Sequence, residues 1–476
     1  MIRSLAILSG LWWALTIAVS VQAQPLDSVG LLGPETYLEW VRLYHPLAKQ
    51  AALLDRESAA ELRLAKGNFD PKAYAEVDQK SFDGKNYYTI GEGGIKLPTS
   101  FGAELKAAYN WTNGVFLNPE NSLPAGGQAV AGIRISLLQG LLIDERRTAL
   151  QQARILSDLN AAERRRLVNE LLLEAAKSYW NWALAEAGAE VYRQALRVAE
   201  QRFEGVRESY FRGYKPAIDT LESLIQVQNR QYDLNLALVE LENARLALSN
   251  YLWMPDETPA VLSAALRAPL PEDWLVPAAT GLPELPANWT DEQPDLQLYR
   301  FKLAQLQVER RWRAEQLKPR LDLEYNLLAD GFDFGGPDPN DGALQTLFAQ
   351  NYKWGLQFSF PLFLRKELGK LQLTDLKLAQ TAYQLSQKQL EVNNKVAAYR
   401  NLLANTRDQI ELYAEVSANY ARLLEAENEK FRIGESSIFL LNSREQKLLE
   451  AQLKLIKLQA DYRKTLAALR WASGQS

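Results

Sequence analysis

Two short turn sequences decide how this chain folds: Phe431-Arg432-Ile433-Gly434-Glu435-Ser436 and, earlier, Tyr210-Phe211-Arg212-Gly213-Tyr214. In each, a glycine follows an aromatic residue at the end of a long stretch without proline. Glycine just past a helix end allows the left-handed backbone that closes the last turn. A second helical stretch follows each glycine, so each sequence predicts the tip of a helical hairpin.

The same signals recur in the same order on both sides of these turns. The matched positions are the strand-end serines Ser136 and Ser359, and the proline pairs Pro46 and Pro71, and Pro294 and Pro319. The offset between the halves is 248 residues at the prolines and 223 at the serines, which we interpret as a longer loop region in the first half. Two copies of helix, strand, strand, very long helix and helix indicate a duplication, and repeats outrank local signals.

The N-terminus has the pattern of a secretory signal. Met1-Ile2-Arg3 is followed by an apolar run from Leu5 to Val19 and by small or apolar residues up to Ala23. The run is shorter than the roughly 18 residues that a spanning helix needs. The sequence therefore predicts a signal peptide, residues 1–23, cleaved after Ala23.

Composition narrows the class further. None of the 476 residues is cysteine, so neither disulfides nor a lipid-attachment cysteine can form. The formal net charge of −4 argues against a nucleic-acid partner. The 12 tryptophans favour strands in a membrane interface.

Two predicted helices are too long for a compact domain. Leu141–Phe211 and Lys366–Arg432 lack proline, and some 70 helical residues span roughly 105 Å. Such helices pack side by side as coiled coils. The shorter helices predicted at Pro34–Lys66 and Lys215–Trp253 would be roughly 50 and 57 Å long, so two stacked end to end match one long helix. A cytosolic coiled coil would have the same apolar contacts between long helices, but it would have neither the strands nor the signal peptide.

Four runs alternate between apolar and polar residues. They cover residues 104–111, 129–137, 320–327 and 353–360, with polar loops at 113–127 and 330–351. Runs of about ten residues with period two are typical of membrane-barrel strands. A soluble half-buried sheet gives the same alternation, and we favour the membrane because of the signal, the aromatic content and the flanking helices. The predicted lipid-facing residues are Tyr109, Trp111, Tyr325, Trp354, Phe358 and Phe360.

Four strands per chain cannot form a closed wall, because even small membrane barrels take about eight. An open sheet edge is not tolerated in lipid, so several copies must join. The runs Ala73–Lys80 and Tyr87–Leu97 also resemble strands. Their pairing, and whether they belong to the membrane barrel, stay open from sequence alone.

Signs of catalysis are weak. His45 is the only histidine, and its place beside Pro46 near a helix start favours a capping or packing role. Without cysteine, one histidine cannot assemble a soft-metal site, and no phosphate-binding loop or nucleophile motif is present. We therefore predict that the protein is not an enzyme and has no cofactor or metal.

Over nearly the whole mature chain, the sequence resembles the TolC-like outer-membrane efflux proteins, also called outer membrane factors. The resemblance rests on the two turns, the Asp219-Thr220-Leu221 and Leu440-Leu441 that follow them, and the strand-to-helix exits Leu138–Asp144 and Phe360–Phe363. It implies a mainly α fold with membrane β: a homotrimer whose twelve-stranded β-barrel continues into a periplasmic α-helical barrel.

The resemblance also implies a gate at the periplasmic end, and here the sequence departs from the best-known member. Its two aspartate rings match Leu440 and Ser443, and the tyrosine and arginine that lock its turn match Phe431 and Ser436. Its aspartate partner matches Asp219. We therefore predict an apolar ring of Leu440, with Phe439 nearby, that gates by dewetting. The alternative is ordinary helix packing.

The helical tips are the second site that the resemblance implies. They would dock a periplasmic adaptor by helix-in-groove contact. The residues concerned are Arg212, Gly213, Tyr214, Lys215, Ile433, Gly434 and Glu435.

The implied function is a trimeric outer-membrane duct of a tripartite efflux or type I secretion system. It would passively conduct substrates from the adaptor and an inner-membrane RND or ABC pump to the exterior. The expected location is the outer membrane of a Gram-negative bacterium, with the helical part in the periplasm. The alternatives are a structural coiled-coil protein and a periplasmic adaptor, but an adaptor needs a lipoyl-like β-domain between its helices.

The sequence divides into a first repeat, a linker and a second repeat. The first repeat covers residues 24–253, with strands at about 71–138, and the linker covers 254–291. The second repeat covers residues 292–476, with strands at about 319–361. The cargo is not specified by the sequence.

Overall fold

The computed structural model describes residues 30–263, 265–274, 284–331 and 351–475. The predicted signal peptide and most of the 330–351 loop lie outside this part of the chain. In the first half the elements are α1 (Pro34–Tyr44), α2 (Pro46–Gly67), β1 (Lys72–Phe82), β2 (Lys85–Pro98), β3 (Ala103–Asn113), β4 (Gln128–Ser136), α3 (Glu145–Phe211) and α4 (Ala217–Ser249). In the second half they are α5 (Pro294–Glu315), β5 (Arg320–Asp330), β6 (Tyr352–Ser359), α6 (Arg365–Arg432) and α7 (Ile438–Ser473). Three further single turns lie at Pro119–Asn121, Pro271–Trp274 and Trp289–Glu292.

The recurring prolines start matched helices in the two halves. Pro46 and Pro294 occupy the first turns of α2 and α5, where a missing N–H costs nothing. The preceding residue caps each helix. His45 Nδ1 accepts from the backbone N–H of Leu47 at 3.2 Å, and Gln293 Oε1 accepts from that of Leu296 at 2.8 Å. The capping role predicted for His45 is confirmed.

The long helices form as predicted. α3 has 67 residues and α6 has 68, which makes each about 100 Å long. α2 and α4 both pack along α3. Trp40 Nε1 of α1 donates to the carbonyl of Trp253, just after α4, at 2.8 Å, so the two shorter helices meet end to end as predicted. The first of them was predicted as one helix, Pro34–Lys66, but is divided at His45 into α1 and α2, because Pro46 has no N–H to continue the first helix. α5 and α7 pack against both α3 and α6. Within the described residues, no helix has a stretch long and apolar enough to cross a membrane.

The strands correct one expectation. The described residues hold a single antiparallel sheet of six strands, in the order β1 to β6. Four of these belong to the first half, so the prediction of two strands per half and four per chain was wrong. From Pro71 to Ser136 there are 65 residues, but from Pro319 to Ser359 only 40. The excess forms an added strand pair rather than a longer loop.

The sheet exposes its apolar face and covers its polar face, which is the reverse of a half-buried sheet in a soluble protein. Residues that pair across antiparallel strands lie on one face, and the register places Trp354 opposite Tyr325 and Phe358 opposite Leu321. The row of Trp354 and Tyr325 continues through Ile133 to Leu105 on the interior strand β3. This apolar face is open: Leu105 is 39% exposed, and Trp354 on the edge strand β6 is 60% exposed. The opposite face carries Asp322, which is 2% exposed. The alternative of a soluble half-buried sheet would require a buried apolar face and an exposed charged face.

The main hydrophobic core lies between α1, α3 and the segment after α4. Its largest side chains are all buried aromatic residues: Tyr37, Trp40, Tyr179, Trp180, Trp182 and Trp274. The Tyr179 hydroxyl donates to the carbonyl of Leu32 at 2.6 Å, and burial raises the pKa of Tyr179 above its usual value. This core fixes the N-terminal segment against the middle of the long helix α3.

Candidate functional site

The outer face of the sheet holds all of the predicted lipid-facing residues that lie in strands. Tyr109 and Trp111 are half-buried on β3, and Tyr325 is half-buried on β5. Their rings cover small residues of neighbouring strands. A Cβ on Gly91 would overlap the indole of Trp111, so glycine is the residue that lets this ring lie flat. Phe360 continues the same face just after β6 and is 39% exposed.

The inner face of the sheet carries paired charges. Arg134 on β4 contacts Asp322 on β5 at 2.8 Å, and the Ser136 hydroxyl donates to the same carboxylate at 2.7 Å. Lys106 on β3 contacts Glu92 on β2 at 2.7 Å. An apolar outer face with a charged inner face is the arrangement of a membrane wall around a wet lumen.

The two helical hairpins turn with the same geometry. Gly213 has φ +80° and Gly434 has φ +87°, the left-handed conformation that favours glycine. The backbone N–H of Tyr214 donates to Ser209 O at 2.9 Å, and that of Glu435 donates to Lys430 O at 2.9 Å. Both are six-residue closures of the Schellman type, so the two turns predicted from sequence are confirmed.

The two tips contact each other. The ammonium group of Lys215, after the first turn, lies 4.4 Å from the centre of the Phe431 ring in the second hairpin. Behind it, Val206 of α3 packs against Ile438 and Leu441 of α7, with Leu424 and Phe431 at the edge. The structure therefore brings residues of both predicted sites to one end of the molecule.

Three of the predicted gate residues, Phe439, Leu440 and Ser443, lie on the exposed side of α7. Ile438, Leu441 and Glu445 are buried against other helices, whereas Leu440 is 41% exposed, Phe439 is 68% exposed and Ser443 is also exposed. Within a single chain, therefore, Leu440 is not a core residue of the hairpin. Asp219 lies half-buried in the first turn of α4.

The turn of the second hairpin contains a polar contact that sequence reasoning missed. The Ser436 hydroxyl donates to Glu427 Oε1 at 2.5 Å, and Arg444 Nε lies 3.7 Å from the other oxygen of that carboxylate. Glu427 is buried. Ser436 is therefore part of a polar lock, but its partner is Glu427 of the same hairpin.

Two arginines hold the hairpins together above the tips: Arg230 is buried, and the side chain of Arg202 is 11% exposed. Arg202 of α3 donates to Asn442 at 3.2 Å and pairs with Glu445 of α7. Arg230 of α4 is 2% exposed and donates to Gln446 of α7 at 2.7 Å. A charged residue within a run of helical charges gives no sequence signal of burial, so neither pair was predicted.

The residues predicted to dock an adaptor are mostly open to solvent. Arg212, Gly213, Tyr214, Ile433, Gly434 and Glu435 are exposed, and Lys215 is partly covered by its ring contact. Tyr214 is 79% exposed and Ile433 is 66% exposed. Apolar side chains this open at a helix turn form a surface suited to a partner. No group of side chains in the described residues is arranged to hold a metal ion.

The fold and these two surfaces define a class of protein: the subunit of a membrane wall continued by a helical conduit. A model of the outer membrane efflux protein family matches residues 285–475, which include α5, both second-half strands, α6 and α7. No curated protein matches the sequence. The predicted resemblance to TolC-like outer-membrane efflux proteins is confirmed.

Solved outer-membrane channels share the fold over both halves. VceC of Vibrio cholerae is 14% identical with a TM-score of 0.62, and the match covers 93% of this chain and 96% of that one. The CmeC channel of Campylobacter jejuni is 13% identical with a TM-score of 0.62, over 93% and 85% of the two chains. The open state of MtrE of Neisseria gonorrhoeae is 14% identical with a TM-score of 0.63, over 93% and 88%.

Proposed function

We propose that this protein is the outer-membrane channel subunit of a tripartite efflux or type I secretion system. It conducts substrates passively from a periplasmic adaptor and an inner-membrane RND or ABC pump to the exterior. The observation that carries the proposal is the inverted sheet: its apolar face is exposed at Leu105 of the interior strand β3 as well as at Trp354, and its charged face covers Asp322. Aromatic side chains on an outer face are stable in lipid, and charges on the inner face are stable beside water.

The helices support the second half of the proposal. The chain enters the sheet from α2 and α5 and leaves it into α3 and α6, and all four connections lie at the same ends of the antiparallel strands. The helical part therefore projects from one end of the wall. Helices of about 100 Å carry the conduit deep into the periplasm. The exposed tip residues at Gly213 and Gly434 then lie at the end farthest from the membrane, where an adaptor meets them.

Oligomerisation follows from the open sheet. A wall with two free edges leaves unpaired backbone groups, which lipid does not tolerate. Family members are trimeric channels that work with adaptors and inner-membrane pumps. We therefore propose a homotrimer here, with the chain contributing one third of the wall.

Fractionation and bilayer recording test the function. The full chain, expressed in a Gram-negative host, is expected in the outer-membrane fraction as an oligomer that dissociates only on heating. Purified oligomer is expected to produce conductance steps in planar bilayers. A protein found only in the soluble periplasmic fraction would instead support the adaptor alternative. An outer-membrane oligomer that conducts neither as the parent protein nor as the gate variant Leu440→Ser, described below, would refute the duct.

We further propose that Leu440 forms the periplasmic constriction. Its side chain is exposed on α7 beside Phe439, and the buried side of the helix is already occupied by Ile438 and Leu441. Three copies of Leu440 around a narrow axis would exclude water and so close the pore without charge. This mechanism differs from closure by an aspartate ring, which would bind cations.

Leu440→Ser tests this gate. The hydroxyl wets the constriction, so single-channel conductance and the leakage of antibiotics into cells are expected to rise several-fold. The matched control is Leu390→Ser at an exposed leucine in the middle of α6, which should leave both unchanged. Equal conductance in Leu440→Ser and the parent protein would show that the constriction lies elsewhere.

A further inference from the structure

We propose that the assembled wall has eighteen strands rather than twelve, with β1 of one copy pairing with β6 of the next. The proposal rests on the trimer of the proposed function and adds which surfaces join the copies. Twelve strands would require four per chain, with the wall ending at β3 and the β1–β2 hairpin outside it. Three features of the described residues favour the larger wall.

Both faces of the wall continue onto β1 and β2 over the half of these strands nearer the helices. On the outer face the register joins Ala73 to Ile95 and Ile95 to Ala107, all apolar. On the inner face it joins Glu76 to Glu92 and Glu92 to Asn110, all polar. A hairpin lying outside the membrane would have no reason to keep an apolar outer face in register with the rest.

The packing of β2 is that of an interior strand. Ten residue pairs join β2 to β3, from Thr89 and Asn113 to Pro98 and Glu104. A Cβ on Gly94 would overlap the backbone of Ala107 and Ala108, and one on Gly91 would overlap the Trp111 ring. These glycines therefore allow close contact with β3, and removing β2 from the wall would uncover that contact.

The two free edges are complementary. β1 starts where α2 ends and runs away from the helices, whereas β6 runs back towards α6, so the edges meet antiparallel. β1 has 11 residues and β6 has 8, close to the roughly 9–11 of a membrane strand. Small residues on the outer face of β1, such as Ala75, leave room for Trp354 and Phe358 of β6.

The consequence is a wider exit. Barrel diameter grows roughly linearly with strand number, so the wall is about one and a half times as wide as a twelve-stranded one. The membrane section then does not limit the size of the cargo, and the helical tips become the narrowest part of the duct. Bulky cargo, including folded polypeptide segments, fits such an exit better than a narrow barrel.

Cysteine crosslinking in outer membranes tests which strand meets β6. The natural chain has no cysteine, so introduced pairs are the only thiols. Glu76→Cys on β1 is combined in turn with Lys353→Cys, Gly355→Cys and Gln357→Cys, which cover the inner face of β6 whatever the stagger between copies. Asn110→Cys on β3 is the matched control, because it lies in the same cross-strand row as Glu76.

In an eighteen-stranded wall, oxidation links the Glu76→Cys variants into covalent trimers with at least one β6 partner, and Asn110→Cys links with none. Crosslinking of Asn110→Cys instead would show a twelve-stranded wall and overturn this inference, while leaving a trimeric duct intact. Loss of the heat-dissociable trimer in the parent protein would overturn the proposed function itself. Electron cryomicroscopy of the parent trimer, viewed along its axis, counts the strands directly. It therefore decides between twelve and eighteen strands even if the cysteine variants fail to insert.

Discussion

The two halves of this chain share one plan but differ in two places. Among the residues that the structure describes, the first half has four strands and buries Tyr179 and Trp182 in the main core, whereas the second has two strands and a smaller core. At the position 221 residues after Trp182 lies Leu403, which is also fully buried. Equal long helices are needed because both hairpins must reach the same tip. Strand number and core size alter only the width of the wall and the stability of each half.

The largest difference is expected in the core. Trp182→Ala should lower the free energy of unfolding by about 4 kcal/mol, because it removes a buried indole from an aromatic cluster. Leu403→Ala in the second half should cost about 3 kcal/mol. Urea unfolding of the detergent-solubilised protein, followed by far-ultraviolet circular dichroism, measures both.

The control for this pair is Leu390→Ala, at an exposed leucine of α6, which should change the stability by less than about 0.5 kcal/mol. A larger loss from Leu403→Ala than from Trp182→Ala would show that the second half, and not the first, holds the more important core.

The next largest effect on stability is expected at the ion pair between Arg202 and Glu445, which joins the two halves. Glu445→Ala leaves Arg202 buried without its partner, which should cost about 3 kcal/mol in the same assay. The double variant Arg202→Met with Glu445→Leu should recover most of this loss, because neither charge then needs solvation.

An exposed pair, Arg212 with Glu208, is the matched control for Glu445→Ala. Glu208→Ala should cost less than about 0.5 kcal/mol. If Glu445→Ala and Glu208→Ala had equal effects, the contact between α3 and α7 would not contribute to joining the halves.

The turns should be the place where the halves behave alike. Gly213→Ala and Gly434→Ala each force an L side chain into the left-handed region, at a cost of about 1–2 kcal/mol. No atom lies within 4 Å of either added Cβ, so the effect comes from the backbone alone. Thermal dissociation of the trimer measures both, and clearly unequal losses would mean that the tips differ in structure.

Gly205→Ala is the control for the turn variants. Gly205 lies within α3, an added Cβ there also meets nothing within 4 Å, and alanine should stabilise the helix by up to about 1 kcal/mol. The opposite sign at Gly205 would separate backbone strain from any general effect of an added methyl group.

The smallest difference is expected at the two helix caps. His45→Ala and Gln293→Ala should each cost about 1 kcal/mol, because each removes an acceptor for a first-turn N–H. Burial lowers the pKa of His45 below the ordinary value of 6.5, so the unfolded chain binds its proton more readily than the folded chain. The stabilisation by His45 is therefore complete above pH 6.5 and is lost as the pH falls.

His45→Asn keeps an acceptor that does not titrate. Between about pH 8 and about pH 5 the parent protein should lose more stability than His45→Asn, when unfolding is measured at both values. An identical pH dependence in the two proteins would show that His45 is not the source of it.

The helices could be predicted because their signals are local. Absence of proline, apolar spacing and a glycine at each turn placed α3 and α6 within a few residues of their observed ends. The sheet was only partly predictable. β2 contains Gly91, Gly93 and Gly94, and glycine disfavours strands. The Trp111 ring and the backbone of β3 occupy the space that their missing side chains leave, which only the structure reveals.

The candidate sites show the same limit. The tips were predicted from the turn glycines, but the polar contact of Ser436 with Glu427 was not, because it joins the turn to the preceding helix α6. Leu440 was singled out by its place in the turn, and the structure adds that it faces away from the hairpin core. The features that were missed are contacts between residues of different elements, which the composition of each element alone does not predict.

The open apolar face has a consequence for biogenesis. Before insertion, a newly exported copy carries Trp354, Leu356 and Phe358 in water beside a sheet edge with free hydrogen-bonding groups. Such a surface promotes aggregation. For the proposed trimer, we therefore expect that each copy is escorted across the periplasm and meets the other copies as it enters the bilayer, so that folding of the wall and subunit joining become one event.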